Sequence, residues 1–212
     1  MLGHASFTTN PMRKLIIAFI ALVFALQLQA QDTILLKQIL AVNNKITSFE
    51  ADTKSTMVRP KKTTTMDGKL YFVKPNEFAA MFTTGKYIVV NEKKMKIDMG
   101  MFHGTYKLKE GKMMQGLTHI FLYGFQGRLQ ELAKEGKYTI STKTEDDLHI
   151  VTEESTKKKL FGIGYKKMVF KYDAKSLLIR EIVLYDYKGN EDTYILSNLK
   201  CDIPVDKKTF QF

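Results

Sequence analysis

The chain has 212 residues, 33 lysines and arginines against 22 acidic residues, and a single cysteine, Cys201. The length suits one domain, and one cysteine cannot form an internal disulfide, which excludes a disulfide-stabilised scaffold. A net charge of +11 is compatible with binding to nucleic acid, with binding to anionic lipid, or with a charge that only keeps the protein in solution. The lysines are spread over candidate turns, and this favours solubility.

The first thirty residues have the pattern of a secretory signal peptide. Arg13 and Lys14 form a basic start, residues 15–28 are apolar apart from one glutamine, and Ala30 offers a small residue for cleavage. The apolar run is shorter than the roughly 20 residues that a membrane-spanning helix needs. We therefore predict export, cleavage near Ala30 and a mature domain over residues 31–212, with a retained N-terminal anchor as the alternative. Export also argues against nucleic acid as a partner.

The first half of the mature chain predicts one helix followed by a meander of strands. Residues 32–43 carry leucine, isoleucine and valine at helical spacing. From residue 49 polar and apolar residues alternate, which is typical of half-buried strands. Turns rich in glycine, asparagine, proline and lysine separate five such segments. The predicted strands are residues 49–57, 64–74, 77–83, 87–90 and 95–99.

The pattern changes in the middle of the chain. Residues 117–135 lack alternation, and Gly124 and Gly127 interrupt a helical spacing, so we predict one or two short, loosened helices here. Strands then resume, and the tail predicts a turn and a closing strand. These segments are residues 138–142, 148–153, 166–172, 178–185 and 191–199, followed by the tail at 205–212.

Together these elements indicate a mainly β domain. Antiparallel sheets of about ten or eleven strands usually curl or close, because this limits their exposed edges. Helices laid against one face would bury the apolar side of such a sheet.

The sequence offers no arrangement that indicates catalysis. The histidines of the mature chain, at positions 103, 119 and 149, lack metal-ligand spacing. Neither a phosphate-binding glycine loop nor a nucleophile elbow occurs in the sequence. The acidic pairs at 146–147 and 153–154 are typical of solvated turns. We therefore expect a non-enzymatic protein with no catalytic residue, no metal and no cofactor.

Methionine is concentrated in one part of the chain. Eight of the nine methionines of the predicted mature domain lie between positions 57 and 114, interleaved with phenylalanines. Methionine is unbranched and polarizable, so it can line a surface that adapts to flexible apolar ligands. An ordinary core rich in methionine is the other interpretation, and composition alone leaves both open.

Three segments, in this order, point to a known family. Residues 48–51 read S-F-E-A, residues 68–78 fit G-x-L-x-F-x-K-P-N-x-F, and residues 210–212 read F-Q-F. The mature chain resembles the periplasmic outer-membrane lipoprotein carrier family (LolA-like) over essentially its whole length. The segment at 68–78 is the most specific of the three.

The resemblance implies both a fold and an activity. The fold is an incomplete, open antiparallel β-barrel with an apolar inner face, an N-terminal helix and helices that form a lid. The implied activity is to take lipoproteins from an inner-membrane lipoprotein-releasing ABC transporter, shield their acyl chains and pass them to an outer-membrane acceptor. We expect the carrier to be a monomer. A periplasmic lipid- or glycolipid-binding protein, or an envelope sensor on the same fold, is the alternative.

The resemblance also implies site residues. Lys74 stands where the family has an arginine associated with hydrogen bonds that hold the lid shut, and a lysine provides a point charge rather than a planar fork. Phe78 matches the family's aromatic residue after Pro-Asn-x and should face the cavity. A surface lysine and an ordinary core residue are the plain alternatives at these two positions. The expected acyl-binding pocket comprises Phe49, Met57, Met66, Leu70, Phe72, Phe78, Phe82, Met99, Met101 and Phe121.

Overall fold

The computed structural model describes residues 32–100, 103–109, 113–156 and 164–211. The expected signal peptide, at residues 1–30, and the predicted pocket residue Met101 lie outside the described residues. Within the described ranges, no helix combines the length and the apolar character needed to cross a bilayer.

Eleven strands and three α-helices make up this part of the chain. Helix α1 covers residues 32–43, α2 is Met113–Gln126 and α3 is Leu129–Gly136. A 3-10 helix, Lys207–Phe210, follows the last strand. The strands are β1 (Ser48–Arg59), β2 (Lys62–Val73), β3 (Glu77–Phe82), β4 (Tyr87–Asn91), β5 (Lys94–Asp98), β6 (His103–Lys107), β7 (Tyr138–Glu145), β8 (Leu148–Ser155), β9 (Tyr165–Asp173), β10 (Ile179–Asp186) and β11 (Glu191–Cys201).

The strands form one antiparallel sheet in the order β6-β5-β4-β3-β2-β1-β11-β10-β9-β8-β7. Each half is a meander whose neighbours follow one another in sequence, and the pairing of β1 with β11 joins the halves. In the described part of the chain β6 and β7 are the two edges and do not pair, so the sheet is not closed into a barrel. The segment between these edges contains α2 and α3.

One face of the sheet carries most of the core. Phe49 of β1 lies opposite Phe72 of β2, which lies opposite Phe78 of β3, and all three are buried. In the other half, Phe170 of β9 and Ile182 of β10 are opposite each other in the same core. We call this the inner face, because the helices pack on it.

Helix α2 lies very close to the inner face at Gly124. A Cβ atom built on this residue would lie 2.8 Å from Cε1 of Phe170, so the backbone of α2 rests on that ring. The chain leaves the helix at Gly127, whose φ of +68° favours glycine and whose backbone packs against Ile39 of α1. The three helices and the inner face therefore share one core.

The predicted open sheet with a front helix and a helical insertion is confirmed, with two differences in detail. Residues 103–107 form β6, although this segment was not predicted as a strand. The tail was predicted to close the sheet as a strand, and this is wrong, because residues 207–210 form the 3-10 helix instead. Asp206 caps that helix by accepting a hydrogen bond from the Lys208 N–H (2.9 Å), and Phe210 packs on the outer face against Ala79 and Val89.

Candidate functional site

The predicted pocket residues share the inner face. Nine of the ten lie in the described part of the chain, on β1, β2 and β3, directly after β5, and on α2. Strand alternation explains this, because residues two apart in a strand point to the same side of the sheet. Six of the nine are buried, and Met57, Met99 and Phe121 are half-buried.

The structure divides these residues into two groups. The first belongs to the large core and contains Phe121 of α2 together with four residues of the sheet, Phe49, Leu70, Phe72 and Phe78, and we call these four sheet residues the aromatic group. The second, which we call the methionine group, consists of Met57, Met66, Phe82 and Met99, packed with Ala80.

Helix α2 covers the aromatic group with its own rings. The ring centre of Phe125 lies 5.2 Å from that of Phe49 and 5.8 Å from that of Phe72. The ring of Phe121 lies 5.5 Å from that of Phe78. Edge-to-face and tilted contacts at these distances are favourable beyond the area that they bury. In this arrangement the two side chains of α2 occupy the space over the aromatic group, and we refer to α2 as the lid helix because of this position.

Phe125 was not predicted as a site residue, although a signal for it existed. It lies four residues after Phe121, and residues at that spacing share one face of a helix. Tyr194 of β11, whose ring lies 5.1 Å from that of Phe121, was also missed, since the alternation of β11 alone does not indicate the inner face.

The inner face also contains polar groups. Ser55 and Thr53 on β1 are buried, and no hydrogen-bond partner for their hydroxyl oxygens is found in the described part of the chain. Glu153 on β8 is completely buried, and burial raises the pKa of its carboxyl group to about 8. The interpretation of residues 153–154 as a solvated acidic pair was therefore wrong for Glu153, because it faces the core while Glu154 faces solvent.

Asp192 on β11 is a second acidic residue of the inner face, and it is half-buried. Its Oδ1 atom lies 2.7 Å from Nη2 of Arg59 at the end of β1. Burial raises the pKa of Asp192, and the neighbouring guanidinium opposes that effect. This carboxylate therefore has a charged partner within the fold.

The described residues contain no group of three or more His, Cys, Asp or Glu side chains placed to hold a metal ion. His119 contacts Oε2 of Glu135 through Nδ1 at 2.8 Å and stacks on the ring of Tyr123. His149 contacts the hydroxyl oxygen of Thr144 at 2.8 Å. The inner face therefore presents apolar side chains and a few buried polar atoms.

A comparison with protein families decides the relationship. The family model described as "Outer membrane lipoprotein carrier protein LolA" matches residues 44–212. The chain belongs to this family. Search of the curated proteins finds no match for the sequence.

Solved structures show a related fold at low sequence identity. A LolA superfamily protein from Nitrosomonas europaea is 11% identical, with a TM-score of 0.40 over 83% of this chain and 97% of that one. LprF from Mycobacterium bovis is 14% identical, with a TM-score of 0.41 over 83% and 95%. The MucA/MucB complex of Pseudomonas aeruginosa includes a chain that is 11% identical, with a TM-score of 0.46 over 86% and 61%. Similarity at this level concerns the fold alone.

In this LolA-family chain, Lys74 contacts the turn that follows helix α1. Its Nζ atom donates hydrogen bonds to the backbone oxygen and to Oδ1 of Asn44, which follows the helix directly. Burial lowers the pKa of Lys74. The hydrogen bond from the lid helix to the same turn comes from Gln126, whose Nε2 donates to the backbone oxygen of Pro75 at 2.9 Å. The turn at 74–75 therefore contacts both the turn after α1 and the end of α2. We propose that Lys74 and Gln126 together hold the lid helix in place.

Proposed function

We propose that this chain is a periplasmic carrier that binds the acyl chains of lipoproteins on its inner face and moves them from the inner to the outer membrane. The proposed donor is the inner-membrane lipoprotein-releasing ABC transporter, and the proposed recipient is an outer-membrane acceptor. The observation that supports this proposal best is the aromatic group beneath the lid helix, because it forms a broad apolar surface on which Phe121 and Phe125 of α2 pack.

In the proposed mechanism the lid helix competes with the ligand. Removing a palmitoyl chain from water is worth about 12 kcal/mol at about 0.8 kcal/mol per methylene. Lifting Phe121 and Phe125 off the aromatic group exposes both rings to water, which costs about 1.5–3 kcal/mol for each ring. The cost of opening the lid is therefore subtracted from the binding free energy of the acyl chain. The weaker net binding allows the ligand to be released as well as bound.

The methionine group is the proposed entry for the chain. Met57 and Met99 are half-buried, and their flexible side chains can adapt to an acyl chain without a fixed shape. An acyl chain that first contacts these residues can reach the aromatic group along the same face of the sheet.

Two neighbouring residues of β1 provide a matched test. Met57 faces the inner side, whereas Val58 is 38% exposed on the outer side. Both would be changed to glutamate, and the proteins would be purified from the periplasm and examined by native mass spectrometry. We expect Met57→Glu to lose bound triacylated lipoprotein and Val58→Glu to keep it, because only the first places a charge on the proposed path.

The contrary results are equally specific. Equal lipoprotein loading of the two variants, with circular dichroism showing that both are folded, would contradict the assignment of the inner face. A bound fraction that contains free lipid or glycolipid, and never lipoprotein, would support the alternative of a lipid-binding protein on this fold. Phe78→Glu is a second test beneath the lid, with Met81→Glu on the outer face of the same strand as its control.

A further inference from the structure

The buried carboxyl group of Glu153 is not explained by the packing of apolar surfaces. Glu153 lies opposite Met168 of β9 and Ile140 of β7, so both neighbours across the sheet are apolar. Its side chain is 0% exposed, and neither of its carboxyl oxygens has a hydrogen-bond partner among the residues that the structure describes. Val151, two residues earlier on the same face, is the kind of side chain that such a position ordinarily takes.

The hydroxyl groups of two tyrosines near Glu153 already donate hydrogen bonds to other residues. The hydroxyl group of Tyr138 donates to the backbone oxygen of Tyr165 at 3.2 Å, and that of Tyr172 donates to the backbone oxygen of Gly124 at 2.8 Å. The interactions of Glu153 with these two tyrosines are purely electrostatic. An unpaired buried polar group costs about 1–3 kcal/mol, and buried polar groups in folded proteins are nearly always satisfied. A hydrogen-bonding partner from outside the fold would remove this cost.

The position of Glu153 connects it to the proposed binding path. One row of paired residues crosses the inner face from Met57 through Asp192, Leu184 and Met168 to Glu153. The adjacent row contains Phe170 and Ile182, on which Gly124 of the lid helix rests. Glu153 therefore lies one row beyond the residues beneath the lid, in the same row as a member of the methionine group.

We propose that Glu153 binds the uncharged amide or ester linkage at the base of the acyl chains. This inference rests on the proposed function, because it assumes an acylated ligand on the inner face. A carboxyl group that keeps its proton has one O–H donor and one carbonyl acceptor, and an amide offers the matching acceptor and donor. Burial favours that uncharged form, since it raises the pKa of Glu153 above neutrality. Ser55 and Thr53 lie on β1, four strands from β8, so we assign this contact to Glu153 alone.

The test uses two substitutions of different hydrogen-bonding capacity. Glu153→Gln keeps a donor and an acceptor, whereas Glu153→Leu removes both at similar size. Glu154→Leu, at the adjacent exposed position, is the control. The affinities of the full-length proteins for N-lauroylethanolamine, a neutral amide, and for dodecylamine, a cation, would be measured by isothermal titration calorimetry below the micelle concentrations of the two probes.

We expect the wild type, Glu153→Gln and Glu154→Leu to bind the amide equally, and Glu153→Leu to bind it about fivefold to tenfold more weakly, as the loss of a buried hydrogen bond implies. Thermal unfolding would show that Glu153→Leu is folded. Wild-type affinity of Glu153→Leu for the amide would overturn the inference. So would an equal loss in Glu153→Gln and Glu153→Leu together with a preference of the wild type for dodecylamine, because that result assigns a cation to the site. Failure of the wild type to bind either probe would contradict the proposed function itself, and the inference with it.

Discussion

The contact of the lid helix with the sheet is tested by two glycines of the same helix. At Gly124 a Cβ atom would lie 2.8 Å from Cε1 and 3.1 Å from Cδ1 of Phe170, a ring that is 0% exposed. At Gly116, on the exposed side of α2, nothing lies within 4 Å of the same built atom. The two positions therefore share a helix and differ in whether an added methyl group meets the sheet.

The expected effects follow from two opposing contributions. Glycine in a helix is about 1 kcal/mol less favourable than alanine, so Gly116→Ala should stabilise the protein by up to about 1 kcal/mol. Gly124→Ala gains the same amount but forces a methyl group against a buried ring, and overpacking of this kind costs about 1–3 kcal/mol. We expect Gly124→Ala to be less stable than Gly116→Ala by about 1–3 kcal/mol.

Urea unfolding followed by circular dichroism would measure this difference. In a domain of this size each 1 kcal/mol shifts Tm by about 2–4 °C, so thermal unfolding gives an independent reading. We also expect Gly124→Ala to take up N-lauroylethanolamine faster than Gly116→Ala, because a lid held away from the sheet opens more readily. If Gly124→Ala is stabilised as much as Gly116→Ala, the ring of Phe170 moves aside, and the reasoning about the lid contact is refuted.

Two further predictions concern the buried polar residues. The folded protein holds a proton on Glu153 up to a pKa of about 8, whereas the unfolded chain releases it near the ordinary value of 4.5. Wild-type stability should therefore fall as the pH rises between these values, and Glu153→Gln should remove that fall; the difference between the two proteins should reach a few kcal/mol by pH 8 and then stay constant in urea unfolding. A difference that is the same at pH 5 and pH 8 would contradict the assigned pKa. Gln126→Ala should destabilise the protein by about 1 kcal/mol and speed hydrogen exchange in α2, and more so than Lys74→Ala, because Gln126 is 4% exposed and bonds the lid helix to Pro75. Faster exchange in Lys74→Ala than in Gln126→Ala would instead assign the latch mainly to Lys74.

Much of the fold could be predicted because alternation and turns coincide over most strands. The exception, β6, reads H-G-T-Y-K and has only Tyr106 as an apolar residue, so its period of two is not visible. The tail contains alternating apolar residues, but the cap at Asp206 and the contact of Phe210 with the outer face favour a 3-10 helix. The contact of Phe210 with Ala79 and Val89 joins residues that are far apart in the sequence, so the sequence of the tail alone does not predict it.

The lid helix differs from its prediction for a similar reason. Gly124 and Gly127 were both expected to loosen this segment, yet α2 continues through Gly124, where the sheet requires a residue without a side chain. Only Gly127 interrupts the helix, and its positive φ is the cause.

The position of the apolar residues on the inner face was predictable, whereas the position of its polar residues was not. Alternation places residues such as Phe49 and Phe72 on one face, and the structure describes both there. Glu153 gave no such signal, because an acidic residue in a strand is far more often solvated than buried. Its location depends on the register of β8 with β9, which the local sequence does not specify.

The pairing of β1 with β11 also constrains how the domain is built. Phe49 and Cys201 are partners although they are separated by almost the whole described chain, so the halves of the sheet can form locally while their junction waits for the last strand. Until β11 arrives, one side of β1 presents a row of unpaired amide and carbonyl groups, the kind of edge that promotes misassembly. A polypeptide that ends before residue 191 therefore keeps this edge of β1 unpaired, and we expect it to aggregate unless β11 is also synthesised.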